Sequence, residues 1–222
     1  MPQLYKHSNV SCNFMSCLFY IAFIVIIAFP VGLKAQQTQT AIIKGRRYTG
    51  QLDKSGFCLI TQKRDTVLSL PQADFFGFTF KDFNLDGYKD IYLEWSGNMP
   101  DRYTLYLFVP SKGNFKELTG FSEVPSAKPV KGTVYYYSYY PSGCADMTWG
   151  SDLFYVKDYK IFKLGNIKGD GCGIKDDISI FRVRDEKKLL IKTLPLITIK
   201  AYKDNKRGYI KHYWTNNYSK FI

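Results

Sequence analysis

The chain has 222 residues, of which 45% are hydrophobic and 17% aromatic, and its formal net charge is +12. A chain of this length fits one ordinary domain and does not require a second. The basic charge favours acidic partners, although lysines spread over strand faces and turns are also typical of solvated surface and protected sheet edges.

The first 35 residues have the pattern of an export signal. Lys6 precedes an uncharged run over 14–33, and Pro30 breaks the helix near its end, so we expect residues 1–35 to be removed before Gln36. An uncleaved membrane anchor is the alternative, because about 20 apolar residues can span a bilayer. Removing the two lysines of this segment lowers the formal charge to +10. Export to the periplasm or beyond makes an acidic protein, anionic lipid or envelope polysaccharide a better counterpart than nucleic acid.

Short β-like runs separated by turn residues dominate 36–222, which we expect to form a single domain. The predicted fold class is mainly β, with propeller-like or meandering antiparallel sheets. Tyr209, Tyr213, Trp214 and Tyr218 recur at near-helical spacing and predict a short C-terminal helix. The predicted strands are 41–44, 47–52, 56–61, 66–70, 76–80, 90–95, 103–109, 134–140, 152–157, 159–164, 178–184 and 189–193.

One loop, over 82–90, carries residues with metal-binding chemistry. Its oxygen-bearing side chains occupy loop positions 1, 3, 5 and 9, and alternate ligands of this kind point at one centre, as a calcium ion requires. Gly87 supplies a permissive backbone at position 6, after which the Tyr88 carbonyl can act as a ligand. The predicted calcium ligands are therefore Asp82, Asn84, Asp86, Tyr88 and Asp90.

The calcium loop is not an EF-hand. Position 12 is Leu93, where an EF-hand has a bidentate glutamate, and both flanks alternate with period two, so the loop joins two strands. The alternative is a turn in which Asp and Asn side chains cap their own backbone without metal. If metal binds, its role can be limited to stabilising the turn.

The run 135–140 contains five tyrosines, which offer stacking faces to a sugar or a partner chain, with Trp95 and Trp149 as neighbours. Strand alternation instead predicts that half of these tyrosines lie in the core. Further along, Asp170, Asp176 and Asp177 lack the alternate spacing of a second cation site, and a turn held by a disulfide explains them better.

Three cysteines follow residue 35, and an oxidising compartment favours a disulfide between two of them. Cys144 and Cys172 each lie in a glycine-bearing turn, so this pairing is preferred among the three that are possible. Cys58 is then left as a small hydrophobe, expected to be buried because Phe57 and Leu59 belong to an apolar strand.

Catalytic motifs are scarce, and we expect no enzyme. After residue 35 the chain has a single histidine, His212, and no nucleophile elbow, zinc-protease helix or phosphate loop. A glycosidase needs only two carboxylates, but their spacing in sequence selects no pair among Asp74, Glu94, Asp101 and Glu117.

The segment 80–95 resembles the calcium-binding turn of FG-GAP or integrin-α-type propeller repeats. With the aromatic strand 103–108, the tyrosine-rich strand and the Gly-Cys turn, the order over 76–173 is similar to secreted bacterial proteins with an incomplete propeller-like fold. Some of these are periplasmic immunity proteins that inhibit lysozyme-like effectors of a type IV secretion system. The resemblance implies an exported calcium-binding protein that inhibits a protein partner, a lysozyme-like enzyme. A surface carbohydrate-binding module is the alternative function.

Overall fold

A computed structural model of the protein describes residues 36–71, 74–97, 101–173 and 176–222. The predicted export signal at 1–35 lies outside the described residues. From Gln36 to Ile222 the chain forms one unit. Within the described ranges, no helix is long and apolar enough to cross a membrane.

The first two sheets are four-stranded antiparallel meanders, in which each strand pairs with the next in sequence. The first contains β1 (Gln37–Ile43), β2 (Arg46–Asp53), β3 (Gly56–Thr61) and β4 (Thr66–Pro71). The second contains β5 (Phe75–Lys81), β6 (Asp90–Trp95), β7 (Tyr103–Val109) and β8 (Asn114–Glu117).

The third sheet has seven antiparallel strands in the order β15, β14, β13, β12, β10 and β9, with β11 paired to β12. A single α-helix follows it in the described part of the chain, α1 (Asn205–Asn217). The strands are β9 (Lys128–Pro129), β10 (Tyr135–Tyr137), β11 (Tyr140–Gly143), β12 (Thr148–Lys157), β13 (Lys160–Asp170), β14 (Asp177–Arg184) and β15 (Lys187–Pro195).

Three hydrophobic clusters join these layers in series. Phe57 and Leu59 of the first sheet pack with Phe78 and Ile91 of the second. A second cluster joins the other face of that sheet to the third sheet, and a third joins the third sheet to α1. Strand alternation explains the arrangement, because a sheet between two others must present apolar side chains on both faces.

The meandering antiparallel sheets and the C-terminal helix are confirmed. The described strands form three open sheets and close into neither a propeller nor a barrel, so the propeller part of the prediction is not found. The predicted strand 134–140 is two strands, β10 and β11, with different registers on β12.

Glycines within strands make room for aromatic rings. A Cβ atom at Gly165 would lie 2.7 Å from the Phe221 ring and 2.9 Å from the Trp214 ring, so the glycine allows α1 and the chain end to dock on β13. Trp214 Nε1 donates a hydrogen bond to Ser151 Oγ at 2.8 Å, which fixes the helix against β12.

Candidate calcium loop and a polar cleft floor

The loop between β5 and β6 is held by its own side chains. The backbone N–H of Gly87 donates to Asp82 Oδ2 at 2.9 Å, and that of Tyr88 donates to Asp86 Oδ1 at 2.9 Å. Asn84 Nδ2 donates to Asp86 Oδ2 at 2.9 Å. Gly87 and Leu85 have positive φ values of 88° and 60°, which allow the tight winding. These contacts correspond to the self-capping turn that the sequence also allowed.

Asp90 fastens this loop to the sheet. Its side chain is fully buried, and its two oxygens accept the backbone N–H groups of Phe83 at 2.8 Å and Phe108 at 2.9 Å. Burial raises the pKa of Asp90 to about 6 against the opposing effect of these hydrogen bonds, and the charges of Asp86 and Asp82 raise it further. Asp82 and Asp86 are therefore close enough to Asp90 to disfavour its charged form.

One oxygen in this cluster has no partner. Asp82 Oδ1 is buried and accepts no hydrogen bond from the described residues. The ion pairs found among those residues involve Lys163, Lys168 and Lys206, so none reaches a carboxylate of the loop. A buried carboxylate oxygen without a donor or a cation is costly, which makes this loop a candidate cation site.

The predicted ligands all lie in the loop that connects β5 to β6, with Asp90 at the first position of β6. In the described part of the chain, no group of three or more His, Cys, Asp or Glu side chains is arranged to hold a metal. The oxygen chemistry of Asp82, Asn84, Asp86, Asp90 and the Tyr88 carbonyl suits a hard cation such as Ca²⁺. The five ligands remain a prediction.

The preferred disulfide is present: Cys144 and Cys172 are bonded, with their Cα atoms 6.3 Å apart. Asp170 Oδ1 accepts the backbone N–H groups of Cys172 at 3.2 Å and Gly173 at 2.8 Å, so this carboxylate caps the disulfide turn. Cys58 is free, as predicted, but it is only partly buried. The β3 residues on either side of it point into the core, and strand alternation turns Cys58 to the opposite face.

The tyrosines of 135–140, with Trp95 and Trp149, are predicted from the sequence as an alternative binding surface for a sugar or a partner chain. Most of these side chains are buried and cannot contact a ligand. Trp149 is fully buried in the core beneath α1, together with Tyr137 and Tyr139. Tyr136 is buried between the second and third sheets, where it stacks on Phe83 with ring centroids 4.6 Å apart. Successive tyrosines point to opposite faces of the sheet, but both faces are covered here, so three of the five tyrosines are buried.

Sequence reasoning missed a second polar site on the third sheet. Asp152 of β12 and Asn166 of β13 pair across the two strands, and both side chains are buried. Asn166 Nδ2 donates to Asp152 Oδ1 at 2.7 Å. No motif marks these residues, and both strands contain other polar residues, so the sequence does not distinguish this pair.

The chain matches no known family model and no curated protein. A solved structure described as that of a Xanthomonas type IV secretion system related protein is similar to it, with a TM-score of 0.49 and 16% sequence identity. The similarity covers 73% of this chain and 96% of that chain. The resemblance to FG-GAP calcium loops stays a prediction.

Proposed function

We propose that the protein is an exported, calcium-binding β domain that binds a protein partner. The observation that carries the calcium part is the buried, unpartnered Asp82 Oδ1 beside two further carboxylates without a contacting cation. Bound Ca²⁺ would offset the repulsion among Asp82, Asp86 and Asp90 and would take ligands from Asn84 and the Tyr88 carbonyl as well. The Cys144–Cys172 disulfide is consistent with an oxidising compartment.

The loop also supports a binding role. Leu85 lies at its tip with 72% of its surface exposed and with φ of 60°, a conformation that leucine rarely adopts. Strained, exposed residues are concentrated at functional sites. We propose that calcium fixes this turn, so that Leu85 is presented to the partner without further loss of conformational entropy. The partner in this proposal is a lysozyme-like enzyme, as the resemblance over 76–173 to periplasmic immunity proteins implies.

Thermal melting tests the calcium part. We expect Ca²⁺ to raise the melting temperature of the protein relative to chelator, because a ligand bound by the native state alone stabilises by about 2.7 kcal/mol at 100 times its Kd. Asp86→Ala should abolish this rise. Asp74→Ala, which removes an exposed carboxylate outside the loop, should retain it and serves as the matched control. Equal melting of the unaltered protein with calcium and with chelator would contradict the proposal.

The partner is tested by passing envelope extract over the immobilised protein and assaying the bound fraction for hydrolysis of a cell-wall suspension. We expect calcium-dependent capture of this activity, reduced by Leu85→Ser. Capture that depends on glycan and contains no hydrolytic enzyme would instead support the surface carbohydrate-binding alternative.

A further inference from the structure

A cleft of about 760 Å³ opens on the third sheet, on the side away from α1. Its walls include Tyr140, Lys163, Val183 and Lys188, and Asp152 lies at its floor. Clefts that bind small molecules have volumes in this range and contain a few fixed polar groups. The cleft does not involve the calcium loop, so an inference about its ligand does not depend on the function proposed above.

A buried polar pair forms the floor of the cleft: Asp152 lines the cleft, and Asn166 lies directly behind it, hydrogen-bonded to Asp152. Asp152 and Asn166 are 3% and 2% exposed. Asp152 Oδ2 forms an ion pair with Lys163 Nζ at 3.2 Å, and its Oδ1 accepts from Asn166. Asn166 Nδ2 also lies 3.4 Å from the Ser151 carbonyl oxygen. These contacts neutralise Asp152 and fix the orientation of the Asn166 carboxamide, which makes the floor rigid.

The Tyr140 hydroxyl and the Lys188 ammonium lie at the two ends of this carboxamide, and each has at least one proton that is not used in a hydrogen bond to it. Asn166 Nδ2 donates to the Tyr140 hydroxyl oxygen at 3.2 Å, so the Tyr140 proton itself is free for another acceptor. Burial raises the pKa of Tyr140 to about 12, and the charge of Asp152 adds to this effect, so the phenol keeps its proton. At the other end, Lys188 Nζ donates one hydrogen bond to Asn166 Oδ1 at 3.0 Å.

Lys188 differs from Lys163 in its charge balance. Lys163 has two carboxylate partners, Asp152 and Glu123 at 3.5 Å, whereas no carboxylate of the described residues forms an ion pair with Lys188. The ammonium of Lys188 is therefore paired only with a neutral amide. A charged acceptor placed beside it gains a charge-assisted hydrogen bond without displacing an existing ion pair.

The backbone beneath Tyr140 also fits a formed site. A Cβ atom at residue 150 would lie 2.3 Å from Tyr140 Cζ and 2.5 Å from its hydroxyl oxygen, so Gly150 allows the phenol to lie directly on β12. The position of the hydroxyl group is thus set by the sheet, and groups held by strands are positioned more precisely than groups on loops.

We propose that this cleft binds a small ligand through a carboxylate group, with one carboxylate oxygen accepting from the Tyr140 hydroxyl and the other pairing with Lys188. The two donors contact the two ends of one carboxamide, and a carboxylate is a planar group of the same size. The cleft is also lined by three acidic residues, Glu123, Asp185 and Glu186. Their negative charges would repel a polymer that carries many negative charges. The chemistry therefore fits a ligand with a single carboxylate, such as a uronic-acid sugar or an aspartyl side chain.

Ligand-detected nuclear magnetic resonance and calorimetry test the site with four probes at low salt. Glucuronic acid is compared with methyl glucoside, and N-acetyl-aspartyl amide with N-acetyl-asparaginyl amide, so each acid has a neutral counterpart. We expect at least one acid to bind, and its neutral counterpart to bind at least tenfold more weakly. Which acid binds better distinguishes a saccharide from a peptide source.

Three variants place the binding in the cleft. Lys188→Met should weaken binding about tenfold, and Tyr140→Phe should weaken it several-fold, whereas Lys187→Met, on the adjacent exposed lysine, should leave it unchanged. Tyr140→Phe leaves Asn166 its contacts with Asp152 and the Ser151 carbonyl, so the floor keeps its partners. Unchanged urea midpoints will show that each variant is folded.

Any one of three results would overturn the proposal. The first is no binding of either acid at 10 mM, a concentration about ten times the weakest Kd that such a pair of contacts implies. The others are equal binding of acids and neutral counterparts, and equal binding by the Lys188→Met variant and the Lys187→Met control.

Discussion

The β5–β6 loop and the floor of the cleft both contain buried aspartate oxygens, but these oxygens differ in whether they have hydrogen-bond or ion-pair partners. In the loop, the charges of Asp82 and Asp86 raise the pKa of Asp90, and Asp82 Oδ1 has no partner among the described residues. In the floor, both oxygens of Asp152 are used, one by Lys163 and the other by Asn166. The loop therefore leaves one buried oxygen unsatisfied, whereas the floor is complete and offers spare donors.

This difference separates two ways in which a polar site is held in a β-sheet protein. A self-contained network stabilises the native state whether or not a ligand is present, because its buried groups are already paired. A network that lacks a cation gains its stability when the cation binds. The comparison can be tested by removing the carboxylates one at a time.

The largest effect is expected at Asp90, the member of the loop that is already satisfied. Asp90→Ala removes the acceptor of two backbone N–H groups, those of Phe83 and Phe108. We expect the free energy of unfolding in chelator, measured by urea denaturation, to fall by about 3 kcal/mol. Asp86→Ala, at an exposed position in the same loop, should change it by about 0.5 kcal/mol or less in chelator. Similar losses for both variants would show that the two carboxylates do not have these separate roles.

A smaller loss is expected in the floor. Asp152→Ala leaves Lys163 without its buried partner and removes an acceptor from Asn166. Because Lys163 is one-third exposed and keeps Glu123 nearby, we expect a loss of about 2 kcal/mol, independent of calcium. A double-mutant cycle with Lys163→Met measures the coupling of the pair. Additive losses would mean that the ion pair contributes nothing to the floor.

Much of the fold could be predicted because it is local. The meanders connect consecutive strands through short turns, and the helix and the disulfide turns carry their own signals at Tyr209, Trp214, Cys144 and Cys172. The oxygen-bearing side chains of the 82–90 loop are also apparent from the sequence, because they are close together in the chain. The attachment of the loop to the sheet is not apparent, because it depends on long-range contacts such as that of Asp90 with Phe108.

The floor of the cleft could not be predicted, because a glycine ends the predicted strand before Asn166. The strand predicted at 159–164 stops before Gly165, whereas β13 continues to Asp170 and includes Asn166. Glycine lowers strand propensity, but at position 165 it accommodates the rings of Trp214 and Phe221. Trp214 lies in α1 and Phe221 in the 3-10 turn that follows it, about 50 positions further along the chain, and no local pattern reports such a contact.

Asp146 provides the smallest effect and completes the comparison, because its carboxylate is paired like Asp152 but is much more exposed. Lys206 Nζ donates to Asp146 Oδ2 at 2.6 Å, and the Tyr139 hydroxyl donates to Oδ1 at 2.5 Å, which ties the disulfide turn to α1. Burial raises the pKa of Asp146, but the hydrogen bonds from Lys206 and Tyr139 outweigh it, so the net pKa is lowered.

A carboxylate with a lowered pKa in the native state stabilises the protein above its unfolded pKa of 3.8, and this contribution is lost as the pH falls through the lower native value. Because the Asp146 side chain is 43% exposed, we expect Asp146→Asn to cost about 1 kcal/mol at pH 7. The difference from the unaltered protein should shrink below pH 4 in urea denaturation followed by far-ultraviolet circular dichroism. A difference that stays constant from pH 7 to pH 2.5 would show that shape, and not the charge of Asp146, is what α1 requires.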